Sequence, residues 1–399
     1  MKKSDIKIPL LFFILIYLNQ GLSSLPSQSL YYLTREGWGL SATMLGLISF
    51  ITGFAWYVKP IFGYIIDRFP IKGFHSKYYL FINYILILLG CSAIMAFGLN
   101  LFTLILSGVL LNTCTAFNDV SNDKQMVILE KKHDLSGKIQ AVQWTAMGVG
   151  GLIVSVLGAW IATTFAAPLN YKLAYGLTML LPIGTLYYLK KHYKEEPVKK
   201  DYKPVPLKLN LKFLKDKAFL FGLAFIAFLN FCPSFGTALT IQMREVLQID
   251  KMFIGYLGAT GTVLGLIGYA LYYWKAHKFP IRNLLYFTVI FSAITNLFYL
   301  YIPNQWFIMA YSVLFGAFGG ICFLSLLAYM ARIVPKGSEG MFYALVVSVN
   351  NLSAQLGNVF GGVVYDNFGY NTNVIISTVA TLGCLYFIPR LKLEDNNEK

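Results

Sequence analysis

The stretch KKHYKEEPVKKDYKPVPLKLNLKFLKDK, residues 190–217, decides how the chain is organised. It carries ten Lys, four acids and three Pro in a 399-residue chain that is otherwise 57% hydrophobic, 16% aromatic and only 13% charged, too apolar a mix for a soluble protein. On either side of it, apolar runs of about 20 residues, the length a helix needs to cross hydrocarbon, follow one another with almost no gap. Six precede it, at 8–33, 42–66, 78–97, 101–127, 138–164 and 171–189. Six follow, at 218–243, 252–274, 282–302, 305–332, 340–365 and 371–389. The expectation is an all-α membrane protein of twelve transmembrane helices. One six-helix bundle spans 1–189, a linker 190–217, and a second bundle 218–399.

Lys and Arg are retained on the cytoplasmic side of short loops. With both termini and the linker placed there, 27 of the 33 basic residues fall on cytoplasmic segments, and only Arg35, Lys172, Arg244 and Lys251 on the opposite loops. A multi-pass cell-membrane protein with cytoplasmic termini is expected. The net charge of +15 is then an orientation signal and an attraction to anionic lipid, and no basic domain is left for nucleic acid. The N-terminus MKKSDIKIPLLFFILIYL starts like a signal peptide but lacks a small-x-small cleavage site, so it reads as the first span. Cys91, Cys114, Cys232, Cys322 and Cys384 all lie in spans without metal-ligand spacing, and packing is their expected role.

The two halves resemble each other. GYIIDRFPIK from Gly63 returns as GYALYYWKAHKFPIRN from Gly268, and Gly137, opening span five, pairs with Gly340, opening span eleven, at offsets of 205 and 203. Such agreement argues for duplication of a six-helix unit. Two halves joined by a basic loop, with GYIIDR at 63–68 followed by Lys72 and Lys77, resemble the major facilitator superfamily. The resemblance implies two pseudo-symmetric bundles working by alternating access. It also implies a gating latch of Gly63, Asp67 and Arg68, for which PKGSEG (335–340) supplies a counterpart in Ser338 and Glu339 at the start of span eleven.

Three longer stretches are similar to the folate-biopterin transporter family, a branch of that superfamily: WYVKPIFGYIIDRFPIKGF (56–74), FNDVSNDKQMV (117–127) and PKGSEGMFYALVVSVNNL (335–352). The family has Lys-Pro before the glycine of the second helix, two Asp four residues apart on the fourth, and a Glu near the start of the eleventh. The chain departs from the pattern at Tyr343, which falls between Phe342 and Ala344, and around the Asp pair at Ser121, Asn122, Lys124 and Ile128.

Asp119 and Asp123, one helical turn apart in an apolar span, are the leading candidates for proton coupling or substrate binding. Ionised carboxylates survive in hydrocarbon only against a partner or a wet cavity, and neighbours titrate as a pair. Two readings stand side by side. In one, an Asp takes up a proton or answers a substrate cation; in the other, Asp119 or Asp123 forms a fixed salt bridge with Lys59 or Lys124. Lys59, deep in span two, is a candidate for an anionic substrate group or a snorkelling side chain. Asn112, Thr115, Asn118, Asp119 and Asn122 form one polar stripe, expected to face the central cavity. Further cavity-lining candidates are Gln20 and Gln28 on span one, Gln143 on span five, and Asn351 and Gln355 on span eleven. Glycine faces in GVGGLIVSVLG (148–158) and GYLGATGTVLGLIG (255–268) suit either a sliding surface between halves or static packing.

The four His lie in loops, and neither a nucleophile motif nor a phosphate-binding glycine loop is present, so no enzyme, cofactor, metal site or nucleotide-driven pump is expected. The resemblance implies a secondary transporter importing folate- or pterin-like anions with protons. A carrier of another organic anion or drug is the alternative within the class, and a non-transporting receptor the alternative outside it.

Overall fold

The computed structural model describes residues 3–133, 138–198, 216–334 and 339–391. Among the described residues nine helices are long and apolar enough to cross a membrane. They account for ten of the twelve spans, because Phe342–Arg390 covers the last two. Within it, helix α16 (Glu339–Gly383) bends at Gly369, whose φ of 80° and ψ of 178° suit only glycine.

The remaining two spans are broken, and the breaks have local causes. Span two becomes α3 (Ala42–Thr52), a 3₁₀ turn (Phe54–Trp56) and α4 (Lys59–Arg68), with Pro60 in the first turn of α4. Span six becomes α9 (Leu169–Thr178) and α10 (Leu180–Lys191), with Pro182 early in α10. A proline has no N–H to give and crowds the preceding turn, so it is tolerated where a helix begins and ends the one before. Spans one and seven break alike. Pro26 separates α1 (Lys3–Leu22) from α2 (Ser27–Tyr32), and Pro233 separates α11 (Lys217–Phe231) from α12 (Gly236–Ile241). The other elements are α5 (Lys77–Phe97), α6 (Leu101–His133), α7 (Lys138–Ile153), α8 (Ala159–Thr164), α13 (Lys251–Trp274), α14 (Ile281–Phe298) and α15 (Gln305–Arg332).

The chain divides into two compact units: Met1–Leu33 with Ile51–Lys208, and Thr34–Phe50 with Leu209–Lys399. Thr34–Phe50, part of the first half in sequence, belongs to the second unit. Each unit has its own aromatic-rich core. Phe12, Phe13, Ile16, Tyr84 and Leu80 centre the first, and Phe225, Ile226, Leu285 and Tyr329 the second. Trp274, Tyr301 and Trp306 stand exposed at or just beyond helix ends, where amphipathic rings favour a membrane interface.

Lipid offers helices no hydrophobic incentive to associate, so close backbone packing has to supply it. The glycine faces do this inside each unit. A methyl at Gly150 would lie 2.9 Å from the Cα of Gly21, joining α7 to α1. One at Gly268 would lie 2.9 Å from the Cα of Gly320, joining α13 to α15. Gly261 and Gly265 of the same face have open space instead.

The start of the linker is docked rather than loose. The ring of Tyr193 stacks on Phe12 at 4.4 Å, and Val198 N–H donates to the carbonyl of Gly73 at 2.8 Å. The Glu195 carboxylate accepts the N–H groups of His75, Ser76 and Lys77 at 2.7–3.2 Å, which caps the positive end of α5. Lys199 to Lys215 lie outside the described residues.

At Gly369 nothing lies within 4 Å of an added methyl, so only the backbone conformation is at stake. Gly369→Ala is expected to cost about 1–3 kcal/mol. A thermal melt in detergent should show the loss, and an unchanged melting temperature would mean the bend tolerates an L side chain.

Candidate functional site

Helix α6 carries the candidate carboxylates because it runs on from its apolar start through Asn118 to His133 with no proline to break it, which holds the polar residues in regular helical register. Asp119 is 4% exposed and forms an ion pair with Lys59 of α4. Lys59 is the first residue of α4, so the 3₁₀ break before it sets the angle at which its side chain reaches α6. Its ammonium also sits 5.2 Å from the ring centre of Trp56, a cation–π distance. Trp56 is fixed in turn by an indole N–H donated to Asn112 Oδ1 at 3.0 Å.

Asp123, one turn further along α6, accepts the phenolic O–H of Tyr17 at 2.9 Å. Lys124 donates to Asp67 at 2.6 Å. The three charged neighbours on α6 thus engage two elements: Asp119 and Lys124 go to the first and last turns of α4, and Asp123 goes to α1. Asn118 accepts from Asn83 of α5 at 2.9 Å. Asn122 is fully buried, and neither of its amide atoms has a hydrogen-bond partner.

Much of the polar stripe is therefore spent on helix contacts inside the first unit rather than all on one open face. Behind it lies a cavity of about 50 Å³, lined by Asn19, Gln20, Tyr84, Thr115, Asn118 and Thr178 among others. Asn19 Oδ1 and Gln20 Oε1 are buried without a partner, and a space of this size and polarity has room for one or two waters.

Gln28 donates to the carbonyl of Ser155 at 3.3 Å, and Gln143 is 1% exposed with its Nε2 unpartnered. In the second unit, Asn351 accepts from Asn350 and Gln355 from Asn358, both at a long 3.4 Å. Among the expected latch residues, Asp67 is bound by Lys124, and Arg68 lies over the ring of Tyr64 at 5.9 Å. A methyl at Gly63 would meet only Val120 at 3.8 Å, so no close helix approach depends on that glycine. Ser338 lies outside the described residues, as does the side chain of Glu339.

Tyr17, Trp56 and Asn83 were not singled out from sequence. Each is an ordinary member of an apolar run, and only their placement opposite α6 reveals them. Among the described residues, no group of three or more His, Cys, Asp or Glu is arranged to hold a metal.

Residues 20–382 match the BT1 family. The chain belongs to the BT1 family. It is 25% identical to a folate-biopterin transporter of Synechocystis sp. (strain ATCC 27184 / PCC 6803 / Kazusa), covering 96% of this chain and 82% of that one. It is 23% identical to folate transporter 1 of Plasmodium falciparum (isolate 3D7), covering 94% and 75%, and 23% identical to probable folate-biopterin transporter 4 of Arabidopsis thaliana, covering 95% and 93%. Solved structures share the fold. A mutant of the nucleoside transporter NupG superposes with a TM-score of 0.75 at 12% identity over 96% of this chain and 100% of that one. A D-xylose-proton symporter gives 0.71 at 16% over 98% of each. This BT1 chain is thus a multi-pass transporter of the major facilitator fold, not an enzyme.

The two ion pairs of the site differ in burial, and the difference decides their worth. Lys59 and Asp119 side chains are 12% and 6% exposed, so removing one partner strands a buried charge at a cost of about 3–5 kcal/mol. Asp67 is 56% exposed, and a pair so open to water contributes about 0–1 kcal/mol. Lys59→Gln should therefore lower the detergent melting temperature sharply, while Asp67→Asn leaves it nearly unchanged. Equal effects would contradict this ranking.

Proposed function

We propose that this BT1 protein moves folate- or pterin-like organic anions by alternating access, with protons as the coupling ion and uptake as the direction. The observation that carries the reading is the buried Lys59–Asp119 pair, one helical turn from an Asp123 held by Tyr17.

With both carboxylates ionised, Lys59 neutralises one of two neighbouring negative charges. A proton taken up by the pair cancels the other, so a carboxylate of the cargo can approach Lys59 without meeting an uncompensated negative charge. Proton and anion then enter together, because each removes the cost of the other in a low-dielectric site. Protonation biases the conformational equilibrium by whatever difference in proton affinity exists between the two states. The likeness to folate and folate-biopterin transporters supports this cargo class, and the flat, anionic character of folates suits a site that has a buried Lys beside an aromatic ring. On this reading the Asp67 end of α4, with Arg68, serves gating rather than binding.

Uptake of labelled folic acid into vesicles holding an imposed pH gradient tests the reading. Asp119→Asn and Asp123→Asn keep side-chain shape but lose titration, and each is expected to reduce gradient-driven uptake by roughly tenfold or more. Adding Lys59→Gln to Asp119→Asn should restore thermal stability without restoring uptake. Normal pH-dependent uptake in both single Asn variants would remove the proton role. Rescue of uptake by the double change would show that the pair only braces the helices.

A further inference from the structure

The stretches TREGWGL (34–40) and MREVLQI (243–249) repeat an Arg-Glu pair at an offset of 209 residues, and both now belong to the second unit. Their backbones repeat as well. Each passes through one π-helical turn, Leu33–Gly37 in the first and Gln242–Val246 in the second, before the next helix starts at Ala42 or Lys251. Each then places one residue in the left-handed region, Gly39 at φ 66° and Gln248 at φ 51°. In each, one arm of the Arg is bound to its own turn: Arg35 Nη1 to the Leu40 carbonyl at 2.8 Å, and Arg244 Nη1 to the Ile249 carbonyl at 2.5 Å.

With one arm tethered, each guanidinium presents the rest of its fork to the other copy. Arg35 grips Glu245 with Nε at 2.7 Å and Nη2 at 3.0 Å. Arg244 Nε reaches Glu36 at 3.0 Å, and Lys251 holds the second oxygen of Glu36 at 2.9 Å. The arrangement is reciprocal, the Arg of each copy binding the Glu of the other, as in an isologous interface. A second fastening lies beside it. Asp366 accepts the N–H groups of Ala42 at 3.1 Å and Thr43 at 2.8 Å, and the Thr43 hydroxyl at 2.6 Å, at the first turn of α3.

We infer that residues 34–50 form a strap, clasped to the second unit by the reciprocal Arg35–Glu245 and Arg244–Glu36 pairs, that has to be released and refastened in each transport cycle. The strap leads into the first unit at both ends, at Leu33 and Ile51, so displacement of one unit against the other pulls on it. Its fastenings suit repeated opening. Glu245 is 44% exposed and Glu36 32%, so water can replace each partner as the clasp parts. Bidentate geometry makes re-formation selective for one register.

The test uses the full-length chain in lipid vesicles. Arg35→Glu sets a carboxylate against Glu245 and should speed amide exchange across 41–50 by roughly tenfold or more, and adding Glu245→Arg should bring it back toward wild type. Exchange that ignores Arg35→Glu would overturn the clasp. Release is tested separately with Thr43→Cys and Asp366→Cys combined, wild type with its native cysteines receiving the same oxidant. The cross-linked form should lose uptake of labelled folic acid and regain it on reduction. A cross-linked protein that transports at the wild-type rate, or a cysteine pair that does not cross-link, would overturn the strap. The inference rests on the proposed cargo only in that second arm. If wild type takes up no folic acid the cargo reading fails, while exchange still decides the clasp.

Discussion

Neither Lys59 nor Asp119 is tolerable in hydrocarbon alone, and the organisation of the first unit follows from their having found each other. The pair ties α4 to α6 at a depth where water does not compete. With that junction in place, α6 can carry Asn118 to Asn83 on α5 and Asp123 to Tyr17 on α1. One helix becomes the member against which three others are registered. In a medium that gives no general incentive for helices to associate, such polar contacts and the glycine approaches supply what a soluble core supplies by excluding water.

Lipid imposes a crude requirement, about 20 apolar residues per crossing, and that is why the spans were legible from composition alone. The same averaging hides what happens inside a span. Pro26, Pro60, Pro182 and Pro233 were plain in the sequence, yet a hydropathy window is indifferent to a missing N–H, so the breaks they cause emerged only with the backbone. Duplication was partly legible. The matches at Gly63 and Gly137 were visible, while the copy at Arg35 and Arg244 rests on two identical residues in otherwise different surroundings and was confirmed by repeated backbone geometry.

Charges in apolar stretches announced the candidate site, because Asp119, Asp123 and Lys59 break the composition around them. Their partners could not be found that way. Tyr17 and Trp56 sit among apolar neighbours without standing out and act here through one O–H, one N–H and a ring face. Lys124 was recognised as a departure near the Asp pair, yet it reaches away from both of them to Asp67, a choice that side-chain length and helix phase make and spacing does not reveal.

Gly21 lies one turn beyond Tyr17 on α1, with its backbone against that of Gly150 on α7 and no side chain between them. Two helices meshed at that distance have no compressible layer to absorb a displacement, since a shift of a few tenths of an ångström already meets repulsion. The α1–α7 pair therefore behaves as a stiff lever. On the proposed reading, whatever the hydrogen bond at Asp123 does to α1 would be passed on to α7 with little loss.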